Sequence, residues 1–247
     1  MKLNELQHNW NRFGNEDPMW AILTDPDKRG NKWAEDEFFQ SGQEHVGGEL
    51  DFIRGRHQEL RTGLALDFGC GLGRLTQGLA AHFDRVDGVD IAPSMIEGAS
   101  ELNRFPDTCR YHVNPADDLS LFGDDEFDFV MSFITLQHMR PKYAKKYVAE
   151  FLRVLKPGGY MTFQIPSIPD EKTRKHHSPL GKAKYAAYRV LRSEKYHRDP
   201  IMEMHWVAME QMVQLLRSHG GEVDVILRDN SAGATWTSYA YYVTKRA

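Results

Sequence analysis

Apolar positions fall into two alternating patterns from residue 64 onward. Short segments predict strands at Leu64–Phe68, an apolar run, at Arg85–Ile91 and Arg110–Val113, at the strongly apolar Phe127–Ile134, and at Tyr160–Ile165. Helical spacing between them predicts helices at Arg74–Phe83, through Leu75, Leu79 and Phe83, and at Ser94–Leu102, with Ser94 as N-cap. A longer helix is predicted at Pro141–Leu155, with Tyr143, Tyr147, Phe151 and Leu155 on one face and a stop at Lys156-Pro157-Gly158-Gly159. Helix Trp206–His219 ends at Gly220-Gly221, and Val223–Leu227 and Tyr239–Thr244 complete the pattern as an edge hairpin. Strand–helix alternation with nearly continuous apolar strands implies a parallel sheet covered on both faces. The expected fold is α/β: a doubly wound, mainly parallel, seven-stranded Rossmann-like sheet.

Two segments break the rhythm. Residues 1–60 have weak periodicity and many Trp, Phe, Asp and Gly, and predict an N-terminal helical cap on a domain spanning 61–247. Residues at about 167–205 are rich in Lys, Arg, His and Tyr and predict a lid insertion. No internal repeat or low-complexity linker is visible.

Composition narrows the function classes. At 247 residues and 41% hydrophobic, the chain can bury a sizeable core. No window approaches the roughly 18 to 20 continuous apolar residues of a membrane span, and the polar start lacks a signal-peptide core, so no membrane partner and a cytoplasmic location are expected. The net charge is −4 with no basic stripe, which argues against nucleic acid. Lys142, Lys145 and Lys146 fit a solvated helix face. Two cysteines, Cys70 and Cys109, make neither a disulfide framework nor a metal cluster, and no metal is expected. The three-cysteine cluster of radical enzymes is absent.

The informative segment is Asp67-Phe-Gly69-Cys70-Gly71-Leu-Gly73-Arg74, between the first strand and the first helix of the alternation. Glycines there let the backbone turn sharply and a ligand lie against it. It is not the dinucleotide fingerprint, whose third glycine would fall at Arg74, and it lacks the Lys-Ser/Thr of a phosphate loop. A second mark is Asp90, closing Arg85-Val-Asp-Gly-Val-Asp90. A third is Asn114-Pro-Ala116-Asp117-Asp118-Leu119.

Over roughly residues 60–165 these marks resemble class I S-adenosylmethionine-dependent methyltransferases, with ALDFGCGLGRLTQGLA similar to their first motif. The resemblance implies S-adenosyl-L-methionine as cofactor and S-adenosyl-L-homocysteine as product. It implies that the loop Gly69, Cys70, Gly71 and Gly73 passes under the methionine and ribose, steadied by Asp67. It puts both ribose hydroxyls on Asp90, a bidentate charge-assisted contact, and Ile91, Met95 and Phe133 beside the cofactor. It gives the adenine amine to Asp117 or Asp118 and a ring nitrogen to the Ala116 backbone, with Pro115 where similar sequences carry an acid.

The acceptor side is less legible. The segment Met131-Ser-Phe133-Ile-Thr-Leu-Gln-His138 has neither the Asn/Asp-Pro-Pro-aromatic of adenine and glutamine enzymes nor the Pro-Cys of cytosine enzymes. That favours a small-molecule acceptor, methylated on O or N. His138 is a candidate general base, with packing as its competing role. Substrate-contact candidates are Trp20, Trp33, His138, Tyr185, Tyr188, His205 and Trp206, from an aromatic set that also holds Trp10, Phe38, Phe39, His176, His177, Tyr196 and His197. Asp17 to Trp33 is expected to close over the cofactor. Lid cations Lys172, Arg174, Lys175, Lys182, Lys184, Arg189 and Arg192 suit an anionic acceptor or plain solvation. A protein or RNA methyltransferase and a non-catalytic cofactor-binding module are the alternatives, and a monomer or homodimer is expected.

Overall fold

The computed structural model describes residues 1–56, 59–169, 180–181, 183–184, 187 and 200–246. Strands β1 (Leu64–Phe68), β2 (Arg85–Asp90), β3 (Cys109–Val113), β4 (Phe127–Ser132), β5 (Leu155–Pro169), β6 (Gly221–Asp229) and β7 (Trp236–Lys245) form one sheet in the order β3-β2-β1-β4-β5-β7-β6. The first five are parallel, and β7 inserts antiparallel between β5 and β6. The expected seven-stranded doubly wound sheet is therefore present, with its hairpin at the edge. Order reverses between β1 and β4, and open α/β sheets bind ligands beyond the strand ends at that crevice.

Alternate side chains of the central strands face opposite ways. Leu66, Val130, Met161 and Phe163 pack under helices α6 (Pro141–Val154) and α7 (Met209–Ser218), through Tyr147, Phe151 and Leu216. Ala65, Phe129, Met131 and Tyr160 pack under α3 (Glu35–Arg56) and α4 (Arg74–Leu79), through Val46, Leu50 and Leu79. Ahead of α3 lie α1 (Leu3–Glu16) and α2 (Pro18–Ile22). Helix α5 (Pro93–Glu101) follows β2 and packs beside α1. Among the described residues no helix is long and apolar enough to cross a membrane.

Several boundaries differ from expectation for local reasons. Helix α4 ends at Leu79, where His82 N–H bonds back three residues to Leu79; Phe83 still reaches the core, stacked on Phe129 at 5.3 Å. Ser94 is not an N-cap: α5 starts on Pro93, whose fixed φ suits a first turn, while Ser94 Oγ donates to the Asn11 carbonyl and ties α5 to α1. Leu155 leaves the face of α6 and opens β5, whose pairing jumps from Phe127↔Leu155 to Phe129↔Tyr160 across Gly158 at φ +73°. Strand β5 runs on to Pro169 against β7, past the expected lid start. Trp206 and Val207 precede α7 as extended chain, Val207 N–H bonding the Pro166 carbonyl. Most of the expected lid lies outside the described residues.

Helices α3 and α4 meet at glycines. A Cβ on Gly42 would stand 2.1 Å from the Arg74 carbonyl oxygen, and one on Gly78 2.9 Å from that of Gly42. This crossing sets where His45 and Arg74 stand relative to the strand ends. Gly42→Ala is expected to push the helices apart, costing about 1–3 kcal/mol, measured as a lower urea midpoint. An unchanged midpoint would mean that the contact relaxes freely.

Candidate active site

The turn after β1 is made by three residues in left-handed conformation, Gly69, Gly71 and Gly73, at φ +78°, +53° and +80°. Such angles favour glycine, and Cβ atoms on Gly69 and Gly71 would strike Thr135 and Ile22. Asp90 holds the turn in place. Its Oδ2 accepts from Gly71 N–H at 3.0 Å and its Oδ1 from Ala92 N–H at 2.9 Å, so one carboxylate fastens both the glycine turn and the start of α5. Burial raises its pKa, opposed by these backbone donors. Asp67 accepts from Thr76 Oγ1 at 2.7 Å and is 1% exposed; burial pushes its pKa up to about 6 against the pull of Thr76 and Arg74.

A cleft opens at this crevice, floored by Asp67, Gly69, Cys70, Gly71, Asp90, Ile91 and Phe133 and walled by His138. These expected residues come together. Trp10 joins them with Leu3 and Leu6 from α1, and Ile22 from α2 closes the side over Gly71. Part of the cap thus covers the glycine turn, although Trp20 does not face the cleft and instead sits under Arg29 at 4.8 Å.

Other expected residues stand elsewhere. Gly73 caps α4 beneath Tyr111, and Met95 is fully buried among Phe13, Phe38, Phe39 and Leu72. Asp117 and Asp118 turn outward to Lys146, at 2.5 and 3.4 Å. Ala116 N–H is taken by Asn114 Oδ1 at 3.3 Å, and its carbonyl accepts from Tyr147. None of Gly73, Met95, Ala116, Asp117 and Asp118 lines the cleft; Asn114 and Tyr147 do. The acidic pair stands away because Lys146, adjacent to Tyr147 on α6, offers it a full countercharge.

A second cavity adjoins the first, sharing Ile22, Arg74, Ile134 and His138 with it. Trp33, Trp236, Met202 and Met204 wall it, with His45 and Gln137 between. Of the substrate-contact candidates, Trp33 and His138 line this cavity. His205 faces Glu203 at 3.0 Å and Trp206 packs on Trp236 at 5.7 Å, and neither lines these two cavities. Tyr185, Tyr188, His176, His177, Tyr196, His197 and the lid cations other than Lys184 lie outside the described residues; Lys184 is exposed.

Two features of the partition were not anticipated. Ile134 sits at φ +57°, a conformation foreign to a β-branched residue. It is held by a buried amide chain: Gln164 Oε1 accepts from Ile134 N–H at 3.1 Å, and Gln164 Nε2 donates to Gln137 Oε1 at 3.2 Å. Arg74 is 4% exposed, its Nε has no partner among the described residues, and only Asp67 compensates its charge. Burial lowers its pKa to about 10, so it stays cationic at neutral pH. Sequence reasoning met Arg74 only as the residue that breaks the dinucleotide fingerprint.

His138 is more occupied than a free base would be. The Glu203 carbonyl can only accept, so Nδ1 carries the proton donated to it at 3.0 Å. Nε2 then receives the Gln137 amide at 3.3 Å, and Trp10 packs 5.2 Å away. Burial lowers the pKa of His138 to about 4.

With the geometry in place, comparison with known proteins separates the possibilities. Residues 66–163 match the family described as "Methyltransferase domain". This stretch runs from β1 into β5 and contains the glycine turn, Arg74 and Asp90. Over this stretch the chain is similar to class I S-adenosylmethionine-dependent methyltransferases. Among similar proteins is a ubiquinone biosynthesis O-methyltransferase of Hydrogenovibrio crunogenus, 29% identical over 160 residues, 64% of each chain. Another is an O-methyltransferase of Penicillium expansum, 34% identical over 46% of this chain and 39% of that one. The chain spans less than two thirds of either relative. A SAM-dependent methyltransferase structure from Methanosarcina mazei is 25% identical with a TM-score of 0.54, covering 78% of this chain and 97% of that one. Magnesium protoporphyrin IX methyltransferase from Synechocystis, solved with bound S-adenosylhomocysteine, aligns over 99% of this chain and 100% of its own with a TM-score of 0.65; at 15% identity the likeness is one of fold.

The cleft presents groups compatible with S-adenosylmethionine: two carboxylate oxygens at Asp90, a buried cation at Arg74, and a glycine turn without Cβ atoms. Histidine titration gives a test of the cleft's packing. The folded chain holds His138 at about 4, whereas an unconstrained histidine titrates near 6.5. The unfolded chain therefore binds the proton first as pH falls, and stability drops between those values. The His138→Phe variant is expected to lose stability less steeply on acidification, by up to about 1.4 kcal/mol per pH unit. Urea unfolding across that window measures both slopes, and equal slopes would contradict burial of the ring.

Proposed function

We propose that this protein transfers a methyl group from S-adenosylmethionine to an oxygen or nitrogen atom of a small-molecule acceptor. The observation that carries the reading is the junction of two cavities at Ile134 and His138, one holding the glycine turn and Asp90, the other walled by aromatics. Bound there, S-adenosylmethionine supplies an electrophilic methyl on a sulfonium, with a neutral thioether as leaving group.

The chain's residues have separate tasks. Asp90 accepts the ribose hydroxyls on lone pairs its two backbone donors leave free. Arg74 receives the cofactor's carboxylate, relieving a buried cation that Asp67 compensates among the described residues. Asp67, through Thr76 and Arg74, steadies the turn. Leu3, Leu6, Trp10 and Ile22 shield the cleft from water, which strengthens each polar contact inside it. The strained exit of β4 at Ile134 sets the partition across which methyl is passed, and alignment there contributes most where little covalent chemistry is required of the protein. His138 braces this partition through Gln137 and Glu203.

An oxygen acceptor is favoured by O-methyltransferases among the similar proteins, and a small acceptor by the aromatic-walled second cavity and the net charge of −4. Isothermal titration tests the reading. S-adenosylhomocysteine is expected to bind the wild-type chain, and Asp90→Ala to weaken it by about 2 kcal/mol, roughly thirtyfold. Failure to bind either cofactor form, or equal affinity of the variant, would overturn it.

A further inference from the structure

His45 is the polar group of the second cavity for which the fold provides no use. It projects from the middle of α3 beside Ser41, and its ring meets Phe133 edge-on at 4.7 Å. Phe133 lines the cofactor cleft, so His45 stands at the partition and faces the far side of it. Its Nε2 is buried and has no hydrogen-bond partner among the described residues. Leaving such a group unpaired costs about 1–3 kcal/mol, a cost that persists in a folded protein where a partner arrives later.

We propose that His45 contacts the methyl acceptor, and that the acceptor presents a hydroxyl on an uncharged aromatic ring. This rests on the methyl-transfer reading and names the substrate class of that site.

Three observations converge. First, the walls are aromatic and thioether: Trp33 and Trp236, with Met202 and Met204, surfaces that take a flat ring. Second, His45 is neutral at physiological pH, since burial and then the Arg74 charge lower its pKa to about 4. With the proton assigned to Nδ1, the Nε2 lone pair calls for a hydroxyl donor rather than an anion. Third, His138, the other imidazole at the partition, has both nitrogens engaged, by Glu203 and Gln137.

The step balances without a further reactant. The acceptor oxygen gives a lone pair to the methyl carbon of S-adenosylmethionine, and the carbon–sulfur pair remains on sulfur as the thioether. The hydroxyl proton passes to His45 Nε2 and from there to water. Because the imidazole is a weak base, proton transfer accompanies methyl transfer, when the oxygen has become acidic.

The test uses full-length protein saturated with S-adenosylhomocysteine and follows tryptophan fluorescence, since Trp33 and Trp236 line the cavity. Catechol, aniline and benzoate are the probes. Catechol is expected to bind about tenfold more tightly than either of the others, and His45→Phe to lose about tenfold in catechol affinity while still binding S-adenosylhomocysteine. In the wild-type protein the imidazole nitrogen-15 signal of His45 Nε2 is expected to shift on catechol addition and not on benzoate addition. This readout does not depend on the variant folding. Loss of S-adenosylhomocysteine binding in the wild type would remove the methyl-transfer reading itself. With that binding intact, failure of catechol to bind, preference for benzoate or aniline, equal catechol affinity in His45→Phe, or an unmoved nitrogen signal would each overturn the role given to His45.

Discussion

One carboxylate fixes the geometry on which the site depends. Asp90 ties Gly71 and Ala92 together, and so holds the turn after β1 and the first residues of α5 against the end of β2. The turn can take its path because Gly69, Gly71 and Gly73 all adopt left-handed angles. Remove the carboxylate, and the turn loses its anchor on the neighbouring strand. Gly69 and Cys70 N–H would still bond the Val89 carbonyl, so the strand pairing would survive while the cleft floor loosened.

Around that anchor the fold arranges opposed charges with little solvent. Asp67 and Arg74 compensate each other from buried positions, each displaced from its ordinary pKa by burial and drawn back by the other. Arg74 owes its position to the glycine crossing of α3 and α4, which also sets His45 at the partition. The partition is braced from the other side by the amide chain through Gln164, Gln137 and His138. A left-handed backbone angle at Ile134 is thus kept by the Gln164 side chain from β5 and, through Gln137 and His138, by the Glu203 carbonyl ahead of α7. Strained residues held this way mark places where position matters more than local stability.

The central strands were legible because β1 and β4 are buried and mostly apolar and alternate with helical patterns; β1 matched its expected limits and β2 to within one residue. The glycine turn and Asp90 were legible because few other chemistries require that spacing. The rest depended on distances that sequence does not carry. Asp117 and Asp118 follow β3 as expected, but Lys146 from α6 draws them outward. Met95 has the helical spacing of a core residue and is one. Ser94 looked like a cap, yet Pro93 starts the helix and Asn11 engages the serine. His45 lies on a helix whose buried face is interrupted by Gly42, so no periodic signal pointed to it. Arg74 was visible as a departure from another motif, and its burial was not.

A crystal structure of the protein with S-adenosylhomocysteine would test the central claim most directly. The account requires electron density for the adenosyl group between the glycine turn and Trp10, with the ribose hydroxyls on Asp90 and the sulfur facing Ile134 and the second cavity. An adenosyl group seated elsewhere, or a ribose that leaves Asp90 bonded only to Gly71 and Ala92, would contradict it.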